Sequence, residues 1–457
     1  MRLFSNKIFV LLLISTFFLT TGLSCKLFPG KQAPAAYTKA QTLTFWGVWD
    51  TSDDLEVLIK DFKAIHPNIK ISYKKFRYQE YEQKLLEAWA EDRGPDIYSI
   101  PATWLRKYKS KITPMPDSTK LSFQEVKTTL GKTEINTYVR DIPTYSARDI
   151  KNEFVDVVYN DVIIGGKVLG IPFSMDTLVL YYNKDLLDAS DIPVPPTDWT
   201  ELKEAVKKIT KVNNNNEILQ AGVALGVADN LPHSVDIASL LMIQNGAQMV
   251  DARGQVAFHT SPTKDKSYAP GLQALQFYLD FADPIKEVYS WNNNQNDAFN
   301  AFVSGKLAMF YGYSYHLPLI KTQAPKLEID IAPMTQIEGS QKNINYTDYW
   351  VYTVSHKSAN TDAAWGFINF ASGDKEVTKY LNQTKKPTAL RSLITKQKAD
   401  PELAVFADQV LTATHWYRGN DALKMEEFFK EMLDRLPNAA DPIEIMQNAA
   451  LKINQTL

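Results

Sequence analysis

An α/β fold is what this sequence predicts, from three observations. Short apolar runs alternate with stretches of helical spacing in the order β-α-β-α-β near the start of the chain. No internal repeat of roughly 20–50 residues interrupts that order. A content of 45% apolar and 22% charged residues over 457 positions is that of an ordinary globular chain. Strands alternating with helices imply a sheet covered by helices on both faces.

Each element has its own signal. Leu43-Thr44-Phe45-Trp46 reads as a short apolar strand ending at Gly47, and Ser52 to His66 carries Leu55, Leu58, Ile59 and Phe62 on one helical face. Pro67 stops that helix, and Ile69 to Phe76 alternates as a second strand. Tyr78 to Glu91 is helical again, and Gly94-Pro95 turns the chain into a third strand, Asp96 to Ile100. Residues 117–160 are polar and poorly periodic, and read as helices and loops appended to this first unit. Val168 to Phe173 and Thr177 to Tyr182 are two further strands, the second closed by the turn Asn183-Lys184-Asp185. Trp199 to Ile209 is a helix capped by Thr197 or Asp198. Asn213 to Asn216 is a surface loop tip. Gln273 to Ala282 and Asn296 to Val303 are helices, the latter ended by Gly305 before a core strand, Leu307 to Tyr311. The last ninety or so residues are mainly helical.

The N-terminus carries an address. Arg2 and Lys7 precede an apolar stretch from Ile8 to Leu19, and small residues lead to Cys25, the sole cysteine. This is the layout of an export signal covering residues 1–24, too short for the roughly twenty residues that span a bilayer. A signal ending in a small residue and then Cys resembles a bacterial lipobox, which would make Cys25 the lipidated first residue of the mature chain. Gly22 stands where a lipobox has Leu, so an ordinary cleaved signal is the competing reading. Residues 25–40, rich in Pro, Gly, Ala and Lys, form a linker. Both readings place the protein outside the cytoplasm, and the lipid would hold it to the cell membrane.

Composition narrows the function. Fifty basic against fifty-two acidic residues give a net charge of −2 without arginine-rich runs, so nucleic-acid binding has no electrostatic support. One cysteine excludes an intrachain disulfide, and six scattered histidines never reach metal-ligand spacing; no metal or other cofactor is expected.

Three stretches, Gly166 to Pro172 with Leu180 to Leu187, Asp297 to Met309 with Gly312, and Ala363 to Phe370, resemble those of bacterial extracellular solute-binding proteins of family 1. Gly94 to Ile97, the run around Trp199, and Lys386-Pro387 near Arg391 support the likeness, and the set spreads in order over nearly the whole mature chain. The resemblance implies a two-lobe periplasmic-binding-protein fold, type II-like, with a ligand cleft between lobes joined by hinge crossovers. Aligned on those motifs, lobe 1 takes 41–176 and 347–383, and lobe 2 takes 177–346 and 384–457. It also implies a monomeric receptor that passes its ligand to the membrane permease of an ABC importer by hinge closure.

Candidate ligand contacts follow from the loops such a cleft would expose. Trp49 and Asp50 follow the first strand, with Trp46 either core or cleft, and Thr103 and Trp104 follow the third. An aromatic ring covers the C–H face of a sugar while a carboxylate accepts its hydroxyls. Asp176 lies four residues after Pro172, where maltose-binding relatives carry a sugar-contacting acid; a structural carboxylate bonded to backbone at the crossover is the competing reading. Tyr313, Ser314 and Tyr315 follow the strand ending near Gly312, where relatives place a stacking aromatic. Tyr349 and Trp350 stand where many relatives have two glycines, and Trp416 lies in a late loop. The mixture suits a neutral sugar, single or oligomeric. A competing class is an exported glycoside hydrolase with Asp50 and Asp176 as its carboxylate pair. The same residues leave room for a polyamine or peptide as the bound solute, or for an adhesion scaffold with no small ligand.

Overall fold

The computed structural model describes residues 35–129, 132–261 and 268–457. The export signal, Cys25 and most of the linker lie outside the described residues. Two sheets of mixed direction form two lobes. In the first, the strand order is Trp350–Val354, Ile97–Pro101, Gln41–Gly47, Ile69–Lys75. The last three run parallel, and Trp350–Val354 is antiparallel to its neighbour. Parallel strands need crossovers, and the helices Ser52–Ile65 and Tyr78–Ala90 supply them. The first of these starts at a capping box in which Thr51 accepts from the Asp54 N–H and Asp54 accepts from the Thr51 N–H. Its Leu55, Leu58 and Phe62 are fully buried against the sheet.

The second sheet runs Lys211–Val212, Ile218–Val223, Leu307–Gly312, Val179–Asn183, Ile329–Ala332. Ile218–Val223 is parallel to Leu307–Gly312, and the other pairs are antiparallel. Leu307–Gly312 is buried at every position, as expected of a central strand. The helix before it, Ala298–Val303, is capped by Asp297 and ends beside Gly305, whose φ of +72° a side chain would resist.

Between the lobes a small third sheet holds the crossings. Asp176–Thr177 pairs antiparallel with Thr347–Asp348, and Asn345–Tyr346 pairs parallel with Ala413–Thr414. Three strands thus pass side by side from one lobe to the other.

Three differences from the sequence reading have physical causes. Residues 118–143 form a long hairpin, Ser118–Thr129 with Lys132–Pro143, not helices and loops. Most of its side chains on both faces are polar, so it lacks the alternation that marks a half-buried strand. Only its root is seated: Leu121 is buried, His66 shares a hydrogen bond with the Ser122 carbonyl at 2.8 Å, and Ser122 Oγ donates to Asn68. The turn expected at Asn183 opens a short helix, Lys184–Asp188, because the Asn183 side chain caps it by accepting from the Leu186 N–H. Residues 384–397, which the motif alignment gives to lobe 2, pack on lobe 1. Pro387 and Ala389 carbonyls accept from Met175 and Val155, and Arg391 donates to the Phe154 carbonyl.

Candidate functional site

The loops at the carboxyl ends of the first lobe's parallel strands, the hinge strands and the second lobe's facing loops enclose a cavity of about 890 Å³. A crevice beyond strand ends is where open α/β sheets hold ligands, and this volume suits a small molecule of several rings.

One wall is aromatic. The Trp49 ring stacks on Tyr78 with centroids 5.9 Å apart and meets Trp350 edge-on at 6.0 Å. Trp350 also lies 6.1 Å from Tyr81. From the opposite lobe, Tyr315 stacks on Trp49 at 6.2 Å with planes only 13° apart. Trp49 is 52% and Tyr315 43% exposed, so broad faces of both rings stay open to the cleft. The Tyr315 hydroxyl is hydrogen-bonded to His233 Nε2 at 2.8 Å. His233 is a left-handed residue, φ 64°, placed at the start of the helix Ser234–Gln244.

The carboxylates fall into two groups. Asp50 is buried and receives three donors: Tyr352 at 2.6 Å, Tyr380 at 2.7 Å and Lys386 Nζ at 2.5 Å. Burial pushes its carboxyl up, but the Lys386 charge and these hydrogen bonds win and hold it below the usual range. Lys386, presented by the left-handed Lys385 that ends the helix Asp374–Thr384, is held charged by the same contacts. Asp176 accepts from the Ser314 N–H at 2.9 Å, the Ser314 hydroxyl at 2.5 Å and the Thr177 N–H at 2.9 Å. These bonds tie the hinge to the second lobe, and burial still raises its carboxyl to about 6. With Asp50 paired to a lysine and Asp176 tied to Ser314, the two acids proposed as a hydrolytic pair are engaged in holding the structure.

The second group is freer. Asp236 accepts from the Tyr313 hydroxyl at 3.0 Å and lies 3.3 Å from His233 Nδ1. Asp348, on the hinge strand, is exposed to the cleft; enclosure by both lobes raises its carboxyl to about 7, with Asp236 adding repulsion. Glu426, on the helix Ala422–Arg435, is raised to about 7 by burial and then by Asp236.

Of the residues expected from sequence, Trp49, Asp50, Thr103, Trp104, Asp176, Tyr313, Ser314, Tyr315, Tyr349 and Trp350 all line this cavity. They do not line it equally. Trp104 and Tyr313 are nearly buried, and Tyr349 turns its hydroxyl to Asp161 at 2.6 Å. Trp416 is not among the lining residues. Its indole N–H donates to Ser239 Oγ at 3.0 Å and its ring meets Phe258 and Tyr417 edge-on, which makes it core of the second lobe. Tyr78, His233, Asp236, Asp348, Lys386 and Glu426 line the cleft although no sequence signal singled them out as contacts. For Asp348 a signal exists in the sequence: it is a carboxylate set among Tyr346, Tyr349 and Trp350. Glu426 sits on an ordinary amphipathic helix and carries no such signal. Among the described residues no group of three or more His, Cys, Asp or Glu could hold a metal ion.

Comparison with known proteins gives a consistent result. The model of the family described as bacterial extracellular solute-binding protein matches residues 49–378. A putative binding protein of Brucella abortus is 22% identical over 323 residues, 70% of this chain and 68% of that protein. A multiple sugar-binding protein of Streptococcus mutans is 26% identical over 281 residues, 60% of this chain and 63% of that protein. Among solved structures, a cyclic alpha-maltosyl-1,6-maltose binding protein from Arthrobacter globiformis matches with a TM-score of 0.68 and 19% identity, covering 91% of this chain and 98% of the other. A cyclo/maltodextrin-binding protein complexed with maltotetraose matches at 0.67 with 16% identity, covering 91% and 96%. These structural likenesses establish the two-lobed α/β fold.

Proposed function

Because this chain belongs to the bacterial extracellular solute-binding protein family, we propose that it is the substrate-binding component of an ABC importer for a sugar or oligosaccharide. The observation that carries the reading is the interlobe cleft, about 890 Å³, with Trp49, Tyr78, Trp350 and Tyr315 along its wall. Pyranose rings offer flat C–H faces to such rings, and carboxylates and amides around them accept and donate hydroxyl hydrogen bonds. Relatives named for multiple sugars, mannitol and galactooligosaccharides support a polyhydroxylated ligand.

The mechanism needs no reacting group. A ligand that touches both lobes binds the closed form better than the open form and shifts the population toward it. The closed receptor then docks on its permease. Asp50 and Lys386 act here as scaffold: they fix the loop carrying Trp49 against the segment carrying Pro387. Lipidation of Cys25 would keep the receptor within reach of that permease.

A thermal-shift panel of mono- and oligosaccharides tests the reading, with at least one sugar expected to raise the melting temperature. Stabilisation by amino acids or peptides alone would overturn it. Labelling with radioactive palmitate, present in the wild type and gone in Cys25→Ala, is the expected sign of the anchor; unlabelled protein released from cells counts against it.

A further inference from the structure

The charges around the cleft do not cancel. Asp50 is taken up by Lys386, Glu402 by Lys321, and Lys385 by Asp400. Asp236, Asp348 and Glu426 remain, all three lining the same cavity; Asp236 repels the other two and Asp348 repels Glu426. Asp236 has Tyr313 and His233 as partners. Asp348 and Glu426 accept no hydrogen bond and enter no ion pair among the described residues. The opposing charges are few: Lys430 beside Glu426, His233 near both, and His415 near Asp348. Asp176, directly across the hinge ladder from Asp348, adds repulsion.

A neutral sugar does not remedy this. Its hydroxyls donate hydrogen bonds to carboxylates but leave their mutual repulsion in place inside an enclosed, poorly solvated space, where Asp348 and Glu426 give up their protons only at about pH 7. A cation removes the repulsion and is further favoured by the faces of Trp and Tyr rings. Tyr78 and Tyr315 line the same cavity as the three acids, so the acids and the aromatic wall face one enclosed space.

We propose that the ligand carries a protonated amine, as an amino-bearing sugar does, with the ammonium among Asp236, Asp348 and Glu426 and the ring against Trp49, Tyr78 and Trp350. The proposal departs from the neutral sugar expected from the sequence. The proposal rests on the sugar reading above and adds a charge to it.

The test is calorimetric titration at pH 7 with glucosamine, galactosamine and the glucosamine disaccharide, each beside its N-acetylated form and its neutral parent sugar, and with spermidine. At least one amine sugar is expected to bind about tenfold tighter than both neutral counterparts, a difference of about 1.4 kcal/mol. The advantage should shrink in high salt and vanish in Asp348→Asn and Glu426→Gln, whose circular dichroism should match the wild type. Neutral sugars binding as well as the amine forms would overturn the charge and leave the sugar reading standing. Tight binding of spermidine with none of any sugar would keep the charge and overturn the sugar. No response to any amine would overturn the proposal outright, as would an amine preference that survives in both variants.

Discussion

At the scale of single residues, the hinge region is organised by buried acids whose partners lie far away in sequence. Asp161 takes Tyr349 at 2.6 Å, His415 Nε2 at 2.7 Å and Arg418 Nε at 2.8 Å, with its side chain 2% exposed. Burial opposes its ionisation, but His415, Arg418 and Tyr349 outweigh that and hold its carboxyl below the usual range. Removing one member of such a set strands the others, so Asp161→Ala should cost about 3–5 kcal/mol in chemical denaturation; a loss near zero would show the cluster to be dispensable. Asp348 behaves in the opposite sense. Its carboxyl holds its proton up to about pH 7 in the folded protein, against an ordinary value of 3.8. Its share of stability is full below about pH 4 and is lost as pH rises through about 7. Asp348→Asn should therefore raise the melting temperature at about pH 8 and change it little at about pH 4, and equal shifts at both pH values would contradict this. Sequence reading reached Asp50 because it follows the first strand beside Trp49, and Asp176 because it lies four residues after Pro172, where maltose-binding relatives carry an acid. It could not reach their partners, since Lys386 lies 336 positions from Asp50 and Ser314 138 from Asp176; no local pattern records such pairs.

At the scale of elements, the parallel strands were legible because their faces are buried and their helices keep a clean apolar stripe, whereas the polar hairpin 118–143 was not. Two glycines show how tightly elements meet. A Cβ at Gly271, in the helix Pro270–Asp280, would overlap the Phe258 carbonyl oxygen, which is backbone and cannot swing aside. A Cβ at Gly366, in the helix Thr361–Ala371 under the hairpin root, would meet Leu121 Cδ1 at 2.8 Å, the movable end of a side chain. Gly271→Ala should cost roughly 1–3 kcal/mol by overpacking. Gly366→Ala should cost less, because a gain of about 1 kcal/mol in helix propensity offsets the rotation of Leu121. Thermal melts of the two variants side by side check the order, and the reverse order would contradict the packing argument.

At the scale of the whole molecule, rings from both lobes meet across the cleft, and the proposed function makes ligand capture depend on them. Trp49 is the ring that touches Tyr78 and Trp350 on its own side and Tyr315 on the other. Trp49→Ala should weaken sugar binding on the order of tenfold, from the loss of roughly 1.4 kcal/mol of stacking and burial. Its melting temperature without sugar should barely move, because the ring is half exposed. Unchanged affinity in a titration would remove Trp49 from the site. The two-lobe design was legible from ordered motifs spread along the chain; the surplus charge in the cleft was not, because it arises only where Asp236, Asp348 and Glu426 converge from a lobe, a hinge and a late helix. Asp348 belongs to the hinge ladder itself, opposite Asp176, with the Thr347 hydroxyl bonded to the Asp176 carbonyl at 2.6 Å. The fulcrum therefore carries one of the groups that the proposed ligand would meet. On the proposed ligand contact, any swing of the lobes re-aims Asp348, and a substitution that loosens the pivot should also change what the cleft prefers.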